Sequence, residues 1–369
     1  MMNKPFKLII AGGKTGGHLF PGIAIAQALQ RLSKHTSILF VGTDAPFETR
    51  TLQSYGYAHK SIYSKPIKGG SLMGKLISVC IILVSVIQSL IIMKTVKPDF
   101  VIGVGGFSSF AVVLAAWMLN IPTAIQEQNA IPGITNRMLS RFARAIFTSF
   151  EHTQGFINNP KVCYVGNPVR KTELTDAAKI SCTPELDPDR FTLLITGGSQ
   201  GASSINTAVM DALELMKNSD QLNIIHQTGI KEETLVKERY QHLNITAISK
   251  AFFHDMPALQ KRADLVIARA GAGTLSELCI LGKPAILVPF PHAADDHQTA
   301  NARALEEKGA AVIIKDNELT GKTLMTMIKA LMQDKPRLEK MGNASKALAM
   351  PEADLEIAGH ILQTKNYRG

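Results

Sequence analysis

One short pattern occurs twice in this 369-residue chain, and it narrows the possible folds more than any other feature. Lys7-Leu-Ile-Ile-Ala-Gly-Gly is echoed by Thr192-Leu-Leu-Ile-Thr-Gly-Gly. Each is an apolar run too short for a helix, followed by a diglycine and a helix-length segment. Around both, short apolar runs alternate with helical stretches. Lys7–Ala11, Ser37–Val41, Phe100–Val104 and Pro122–Gln126 read as strands in the first half. Phe191–Thr196, Asn223–Gln227, Asn244–Ile248, Leu265–Ala268 and Pro284–Pro289 read as strands in the second. Strands separated by helices pair in parallel through right-handed crossovers, and runs without alternation suit strands covered on both faces. The chain therefore reads as α/β, with two Rossmann-like domains at 1–166 and 191–350. A proline-bearing linker at 167–190 joins them. A last segment, 351–369, holds a helix near Ala353–Thr364 that is free to return to the N-terminal domain.

Charge separates the two halves. Residues 1–170 hold 17 Lys/Arg against 5 Asp/Glu, a net of +12, while the remainder holds 23 against 25, a net of −2. An anionic partner is expected for the first domain only: nucleic acid, an acidic membrane surface or a phosphorylated substrate. The positive charges are scattered without aromatic interleaving, which argues against nucleic acid. Cys80, Cys163, Cys182 and Cys279 stand far apart with no CxxC pair. Neither a disulfide scaffold nor a zinc site follows, and a reducing compartment fits. Met1 to Lys7 runs into the first strand with no apolar h-region, so no signal peptide is expected.

In an open parallel sheet, ligands bind beyond the carboxyl ends of the strands, where glycines let backbone N–H groups and a helix N-terminus meet an anion. The loop Gly12-Gly-Lys-Thr-Gly-Gly-His18 has that position. It is not a Walker A motif, which would need glycine where Leu8 stands, and it misses the GxGxxG spacing. A diphosphate cradle and a plain tight turn both remain open. Thr15, Gly16 and Gly17 would line the cradle, and His18 could act there as a general base or serve the fold alone.

Gly197-Gly-Ser-Gln-Gly-Ala202 repeats the arrangement with a hydroxyl at Ser199. In Ala268-Arg-Ala-Gly-Ala-Gly-Thr-Leu-Ser-Glu277, small residues expose a helix start, Arg269 offers a fixed positive charge and Glu277 could accept two ribose hydroxyls. Thr274-x-x-Glu277 also reads as a capping box, which needs no ligand. Finally, His292-Ala-Ala-Asp-Asp-His-Gln298 gathers two His and two Asp. Four ligands on one short loop would be crowded, so sugar hydroxyls suit these residues better than a metal.

These motifs together resemble the MurG family of UDP-N-acetylglucosamine transferases. The resemblance is carried by Ala11-Gly-Gly-Lys-Thr-Gly-Gly-His-Leu-Phe-Pro-Gly22, Glu127-Gln-Asn-Ala-Ile-Pro-Gly-Ile-Thr-Asn136, Val165-Gly-Asn-Pro-Val-Arg170, Gly197–Ala202 and His292–Gln298, in order along almost the whole chain. It implies a GT-B fold, two Rossmann-like domains facing an interdomain cleft. It implies an inverting transfer of GlcNAc from UDP-GlcNAc to the 4-hydroxyl of undecaprenyl-diphosphate-MurNAc-pentapeptide in peptidoglycan synthesis, without metal or cofactor. By position, the Phe253 backbone would meet the uracil, Glu277 the ribose, and Ser199 with Ala272, Gly273, Thr274 and Leu275 the diphosphate. Gln298 and Asn129 would meet the sugar, and Arg170 the nucleotide, with Arg269 or Arg170 assisting the departing UDP. Thr15 to His18 would lie at the acceptor diphosphate, with His18 or Glu127 as base. Two positions depart from the family pattern: Lys14, often glycine, and Phe110, where small residues are usual.

Leu76–Met93 is apolar apart from three serines and one glutamine, and lysines flank it. It just reaches spanning length, yet it occupies a helix slot between strands of one sheet. A helix buried or lying in the interface is the expectation, on the cytoplasmic face of the cell membrane, with Trp117 in its patch or in the core. Rival readings are a UDP-GlcNAc 2-epimerase, which needs no lipid, a diacylglycerol galactosyltransferase, and a nucleic-acid-binding module.

Overall fold

The computed structural model describes residues 5–13, 15–64, 72–170, 186–216 and 222–366, with 72–77 and 365–366 described by backbone alone. Lys14, Cys182 and most of the expected linker lie outside the described residues. The chain divides into two compact units, Met1–Arg170 with Pro351–Gly369, and Lys171–Met350.

In unit 1 the strands are β1 (Phe6–Ala11), β2 (Thr36–Gly42), β3 (Ala58–Ser61), β4 (Phe100–Gly103), β5 (Thr123–Glu127), β6 (Ala145–Thr148) and β7 (Val162–Tyr164). They form one sheet in the order β3-β2-β1-β4-β5-β6-β7, and every neighbouring pair is parallel. The order reverses between β1 and β4, where Ala11 lies beside Gly103. That reversal opens a crevice beyond their carboxyl ends. Helices α1 (Gly16–Leu32), α2 (Pro46–Ser54), α3 (Leu72–Val96), α4 (Phe107–Met118) and α5 (Ile134–Leu139) cover the sheet.

Unit 2 repeats the plan with β8 (Phe191–Thr196), β9 (Leu222–Gln227), β10 (Ala247–Lys250), β11 (Leu265–Ala268), β12 (Ala285–Leu287) and β13 (Ala311–Ile313). Their order is β10-β9-β8-β11-β12-β13, so the reversal falls between β8 and β11, with Thr196 beside Ala268. Its helices are α6 (Ser203–Glu214), α7 (Glu233–His242), α8 (Met256–Arg262), α9 (Ala272–Leu281), α10 (His297–Glu306), α11 (Gly321–Gln333) and α12 (Lys335–Ala347). The two diglycine loops singled out by the repeat thus leave the strand at each sheet's reversal.

The last helix, α13 (Ala353–Asn366), belongs to unit 1. Ile357, Ala358 and Ile361 are fully buried in one core with Ile23 and Leu29 of α1. Arg31 of α1 pairs with Asp354, which is itself buried.

α3 is longer than the apolar run suggested, and it is two-faced. Ser85, Ser89, Ile92 and Met93 are buried, while Val79, Leu83, Ile87 and Ile91 are exposed at 52–60%. The second set recurs every four residues, so it lines one stripe along the helix. Ser78–Val96 is long and apolar enough, by length and composition, to cross a membrane, and 22% of it is buried. Trp117, at 47% exposure and with its ring 4.7 Å from that of Phe142, sits at the surface rather than in the core.

Candidate active site

Local sequence shapes the crevice of unit 1. Gly12 and Gly105 leave the ends of β1 and β4 with φ of 122° and 100°, and their backbones touch. A Cβ on Gly12 would lie 2.2 Å from the Gly105 carbonyl oxygen, and one on Gly105 would lie 2.6 Å from the His18 ring. Glycine at both points therefore leaves room for the imidazole, whose Cδ2–Nε2 edge lies nearest to Gly105. Thr15, at the N-cap of α1, makes no capping bond with its side chain. Its Oγ1 instead sits 3.1 Å from His18 Nδ1.

Glu127 ends β5 and is 2% exposed. Its Oε1 accepts from the N–H of Asn129 at 2.9 Å and from the Asn129 side chain at 3.3 Å. Oε2 accepts from the N–H of Gly133 at 3.1 Å and from Asn136 Nδ2 at 2.9 Å. Burial raises the carboxyl above its ordinary value, and these four bonds pull against that rise. Both oxygens are thus occupied by the segment that follows, so this carboxylate folds the 128–136 loop. Arg170 stacks 3.8 Å over the Phe20 ring and donates to the Tyr55 hydroxyl at 2.9 Å, both within unit 1.

In unit 2, the loop after β8 is locked to the loop after β9. A Cβ on Gly201 would meet the Thr228 carbonyl oxygen at 2.2 Å. Gln227, 3% exposed, ties this region to the segment that follows β10. Its Nε2 donates to the Gly198 carbonyl at 2.9 Å and its Oε1 accepts from the Phe253 N–H at 2.9 Å. The Phe253 N–H is therefore engaged by the protein. Ser199 is exposed at the tip of the loop.

α9 begins at Ala272 behind Gly271, and no side chain caps it. The capping-box expectation is thus corrected. Thr274 lies inside the first turn, because the small residues Ala270 to Ala272 let the helix start earlier. A Cβ on Gly271 or Gly273 would meet nothing within 4 Å, and the same holds for Gly17 and Gly198. The glycines of these loops fall into two groups: some are required by packing, and these four border open space. At α9 that space lies over orphan N–H groups, the setting in which a helix start holds an anion. Glu277 lies one turn further along α9, and its Oε2 accepts from Gln260 Nε2 at 3.1 Å.

Arg269 is engaged within unit 2. Its Nη1 donates to the carbonyls of Val288 and Pro289, each at 3.1 Å, and to Asp316 Oδ1 at 2.6 Å. Nη2 donates to Ser204 Oγ at 2.8 Å. Burial acts to raise Asp316, but the bonds from Ser204 and Arg269 hold it below its ordinary value. The guanidinium is a brace with its own counter-ion.

On the last loop, Gln298 Oε1 accepts from the Phe290 N–H at 3.0 Å, which turns its NH₂ outward from that bond. His297 Nδ1 sits 2.7 Å from the Ala294 carbonyl, and Asp296 Oδ1 accepts from Thr299 Oγ1 at 2.7 Å. Among the described residues no group of three or more His, Cys, Asp and Glu is placed to hold a metal ion. Gln227, Gln260, Asn136 and Asp316 were not given roles from the sequence. Each acts on a partner far along the chain or in a neighbouring loop, and only the fold makes that visible.

Residues 8–148 match the model of the glycosyltransferase family 28 N-terminal domain, and residues 192–357 match that of the family 28 C-terminal domain. A protein of Anaeromyxobacter sp. (strain Fw109-5) is 42% identical over 353 residues, 95% of this chain and 92% of its own. A protein of Myxococcus xanthus is 41% identical over 95% of this chain and 91% of its own. Both are named UDP-N-acetylglucosamine--N-acetylmuramyl-(pentapeptide) pyrophosphoryl-undecaprenol N-acetylglucosamine transferase. The crystal structure of Acinetobacter baumannii MurG superposes with a TM-score of 0.79 at 31% identity, covering 97% of this chain and all of that one. The UDP-GlcNAc 2-epimerase of Neisseria meningitidis shares the fold at a TM-score of 0.70 and 17% identity. Identity above 40% across nearly the full length of both chains, on a GT-B fold of two parallel-sheet units, assigns the chain to the MurG family of glycosyltransferase family 28.

Proposed function

We propose that the protein transfers GlcNAc from UDP-GlcNAc to the 4-hydroxyl of a polyprenyl-diphosphate-linked MurNAc-pentapeptide, with inversion at the anomeric carbon. The observation that carries this reading lies in unit 2. There an uncapped helix start at Ala272–Thr274, bordered by open space, shares its helix with Glu277. This arrangement suits a nucleoside diphosphate: helix N–H groups and Ser199 for the phosphates, the carboxylate for two ribose hydroxyls, and the Phe253 carbonyl for the base. The NH₂ of Gln298 suits a sugar hydroxyl. Asn129 and Arg170 keep donor-side assignments by resemblance alone.

Unit 1 takes the acceptor. His18 removes the proton of the attacking hydroxyl through Nε2, while Thr15 holds the opposite ring nitrogen. Glu127 positions the 128–136 loop instead of acting as the base. As the bond to the anomeric carbon breaks, negative charge grows on the UDP phosphates, and the fixed N–H dipoles of α9 stabilise it. Each step is complete with the groups named.

The exposed stripe of α3 and the +12 charge of residues 1–170 favour a place on the cytoplasmic, anionic face of the membrane, with α3 lying in the interface. Transfer of labelled GlcNAc from UDP-GlcNAc to a polyprenyl-diphosphate-MurNAc-pentapeptide tests the function. A labelled lipid product is expected. Donor consumed equally without the lipid, with an epimerised sugar released, would instead identify an epimerase.

A further inference from the structure

Unit 1 buries a carboxylate that has no part in the transfer as described so far. Glu48, in the first turn of α2, is 0% exposed. Its Oε2 accepts from the Thr43 N–H at 3.2 Å and from the Thr43 hydroxyl at 2.7 Å, which closes the β2–α2 turn. Its Oε1 lies against the glycines of two other segments. A Cβ on Gly13 would come within 2.4 Å of that oxygen, and one on Gly42 within 1.6 Å. Gly42 ends β2 without a positive φ, so the carboxylate, and not the backbone conformation, requires glycine there. His59 on β3 has Nε2 3.5 Å from the same Oε1. That nitrogen is buried and makes no hydrogen bond among the described residues. Two strands, a loop and a helix start thus meet around one oxygen.

We propose that Glu48 is a positioning residue for the acceptor, holding the Gly12–His18 turn through its fit against Gly13. The proposal rests on the transfer reaction above. Being fully buried, Glu48 acts through Gly13 and not on the acceptor directly. Three observations carry it. Gly13 is a link in the turn: its carbonyl accepts from the Thr15 N–H at 2.9 Å, and the Thr15 carbonyl accepts from the His18 N–H at 3.2 Å. Thr15 also meets the His18 ring at Nδ1, so a shift of Gly13 reaches both the start of α1 and the proposed base. The carboxylate is itself fixed from the other side. Thr43 holds Oε2, and the Gly42 carbonyl accepts from the Ile62 N–H at 2.9 Å, which ties the end of β2 to the segment after β3. Lastly, burying a carboxylate is costly, and a surface Ser, Thr or Asp would be enough to cap a helix start. A buried carboxylate that needs two glycines around it points to a demand beyond the cap.

The test compares variants by kcat/KM for the polyprenyl-diphosphate acceptor, by UDP affinity in calorimetric titration and by melting temperature. Glu48→Asp keeps the charge but withdraws the carboxylate by one methylene. It is expected to lower kcat/KM for the acceptor by about ten- to a hundredfold, the scale of a misplacement of about 1 Å. UDP affinity should stay parental, because unit 2 reads the nucleotide. Glu48→Gln keeps the shape and should rescue most of the loss. Gly42→Ala forces a methyl group onto Oε1 and should reproduce the Glu48→Asp defect. In a Glu48→Ala background the same methyl group should cost nothing further. Parental kcat/KM in both Glu48→Asp and Gly42→Ala, with only the melting temperature lowered, overturns the proposal and leaves a plain helix cap. A loss in Glu48→Gln as large as that in Glu48→Asp also overturns it, because the effect would then lie in the charge and not in the fit. Where Glu48→Asp does not fold, the cycle of Gly42→Ala with Glu48→Ala decides, and additive losses sink the idea. Failure of the transfer reading looks different, because the parent enzyme itself would then pass no label to the lipid.

Discussion

The side-chain amide of Gln260, 1% exposed on α8, donates from Nε2 to Oε2 of Glu277 on α9 at 3.1 Å, fixing a carboxylate on the helix with the open start. Gln260 sets the direction from which Glu277 accepts. Glu277→Ala should weaken UDP binding by about ten- to a hundredfold, the loss of one or two charged hydrogen bonds. Gln260→Leu should raise KM for UDP-GlcNAc by about three- to tenfold with kcat nearly kept, the mark of weakened uniform binding. Calorimetric titration with UDP, with steady-state kinetics, checks both. Parental UDP affinity in Glu277→Ala would remove the ribose role.

His18 packs its ring on Gly105 and is held through Nδ1 by Thr15. His18→Ala is expected to lower turnover by about 10²- to 10⁴-fold, the usual worth of a general base, with donor affinity unchanged. Turnover close to that of the parent would move the base elsewhere, and Glu127→Gln would then be the variant to assay. For Glu127→Gln the present geometry predicts a different defect. The substituted amide loses part of its accepting capacity, so the 128–136 loop should become more accessible to proteolysis.

The Arg269–Asp316 pair predicts a stability phenotype in place of a catalytic one. The two side chains are 12% and 21% exposed. Arg269→Ala strips donors from two carbonyls, Ser204 and Asp316 together, and should cost about 3 kcal/mol of unfolding free energy. Urea melts followed by far-UV circular dichroism would measure it. A variant with parental stability but strongly reduced UDP affinity would restore the arginine to the ligand.

A buried histidine sets the response of unit 2 to acid. Burial pushes His226 down from 6.5 to about 3. Its Nε2 must donate, because its partner at 3.0 Å is Asn206 Oδ1, while Nδ1 accepts from the Tyr240 hydroxyl at 2.9 Å. The native state thus refuses a proton that the unfolded chain takes up below 6.5. The stabilising effect of the neutral ring is complete above 6.5 and is lost as pH falls toward about 3, at about 1.4 kcal/mol per pH unit. His226→Gln should be less stable at neutral pH and flatter across this window. Equal slopes in the two proteins would contradict the account.

On the membrane side, Leu83→Glu with Ile87→Glu should weaken binding to vesicles containing anionic phospholipid by about tenfold or more. Co-sedimentation at low and raised salt separates this from the basic contribution, which salt screens.

The strands legible from the sequence were those covered on both faces, such as Phe191–Thr196 and Leu265–Ala268, which the structure reproduces to the residue. Ala58–Ser61 escaped notice because an exposed edge strand reading Ala-His-Lys-Ser has no apolar run. Ala145–Thr148, Val162–Tyr164 and Ala311–Ile313 were not read as strands. Asn244 was placed in a strand, yet it takes a positive φ of 52° and turns the chain into β10 three residues later. At the sites, the glycine loops could be read because their chemistry is local. The Gln227–Phe253, Gln260–Glu277 and Arg269–Asp316 contacts join residues 26, 17 and 47 positions apart, and nothing in a single sequence pairs them. The counter-ion of Arg269 is hidden for the same reason, because Asp316 lies far along the chain from the glycine loop.

The return of α13 to the core of unit 1 orders how the protein can be made. Residues 171–350 are complete as a unit once they leave the ribosome, but the core around Ile23 and Leu29 waits for Ile357, Ala358 and Ile361. The first half to be translated is therefore the last to be finished. During that interval it exposes both the unfilled face of α1 and the apolar stripe of α3, a state in which chaperones, or an early landing on the bilayer, would protect it from aggregation.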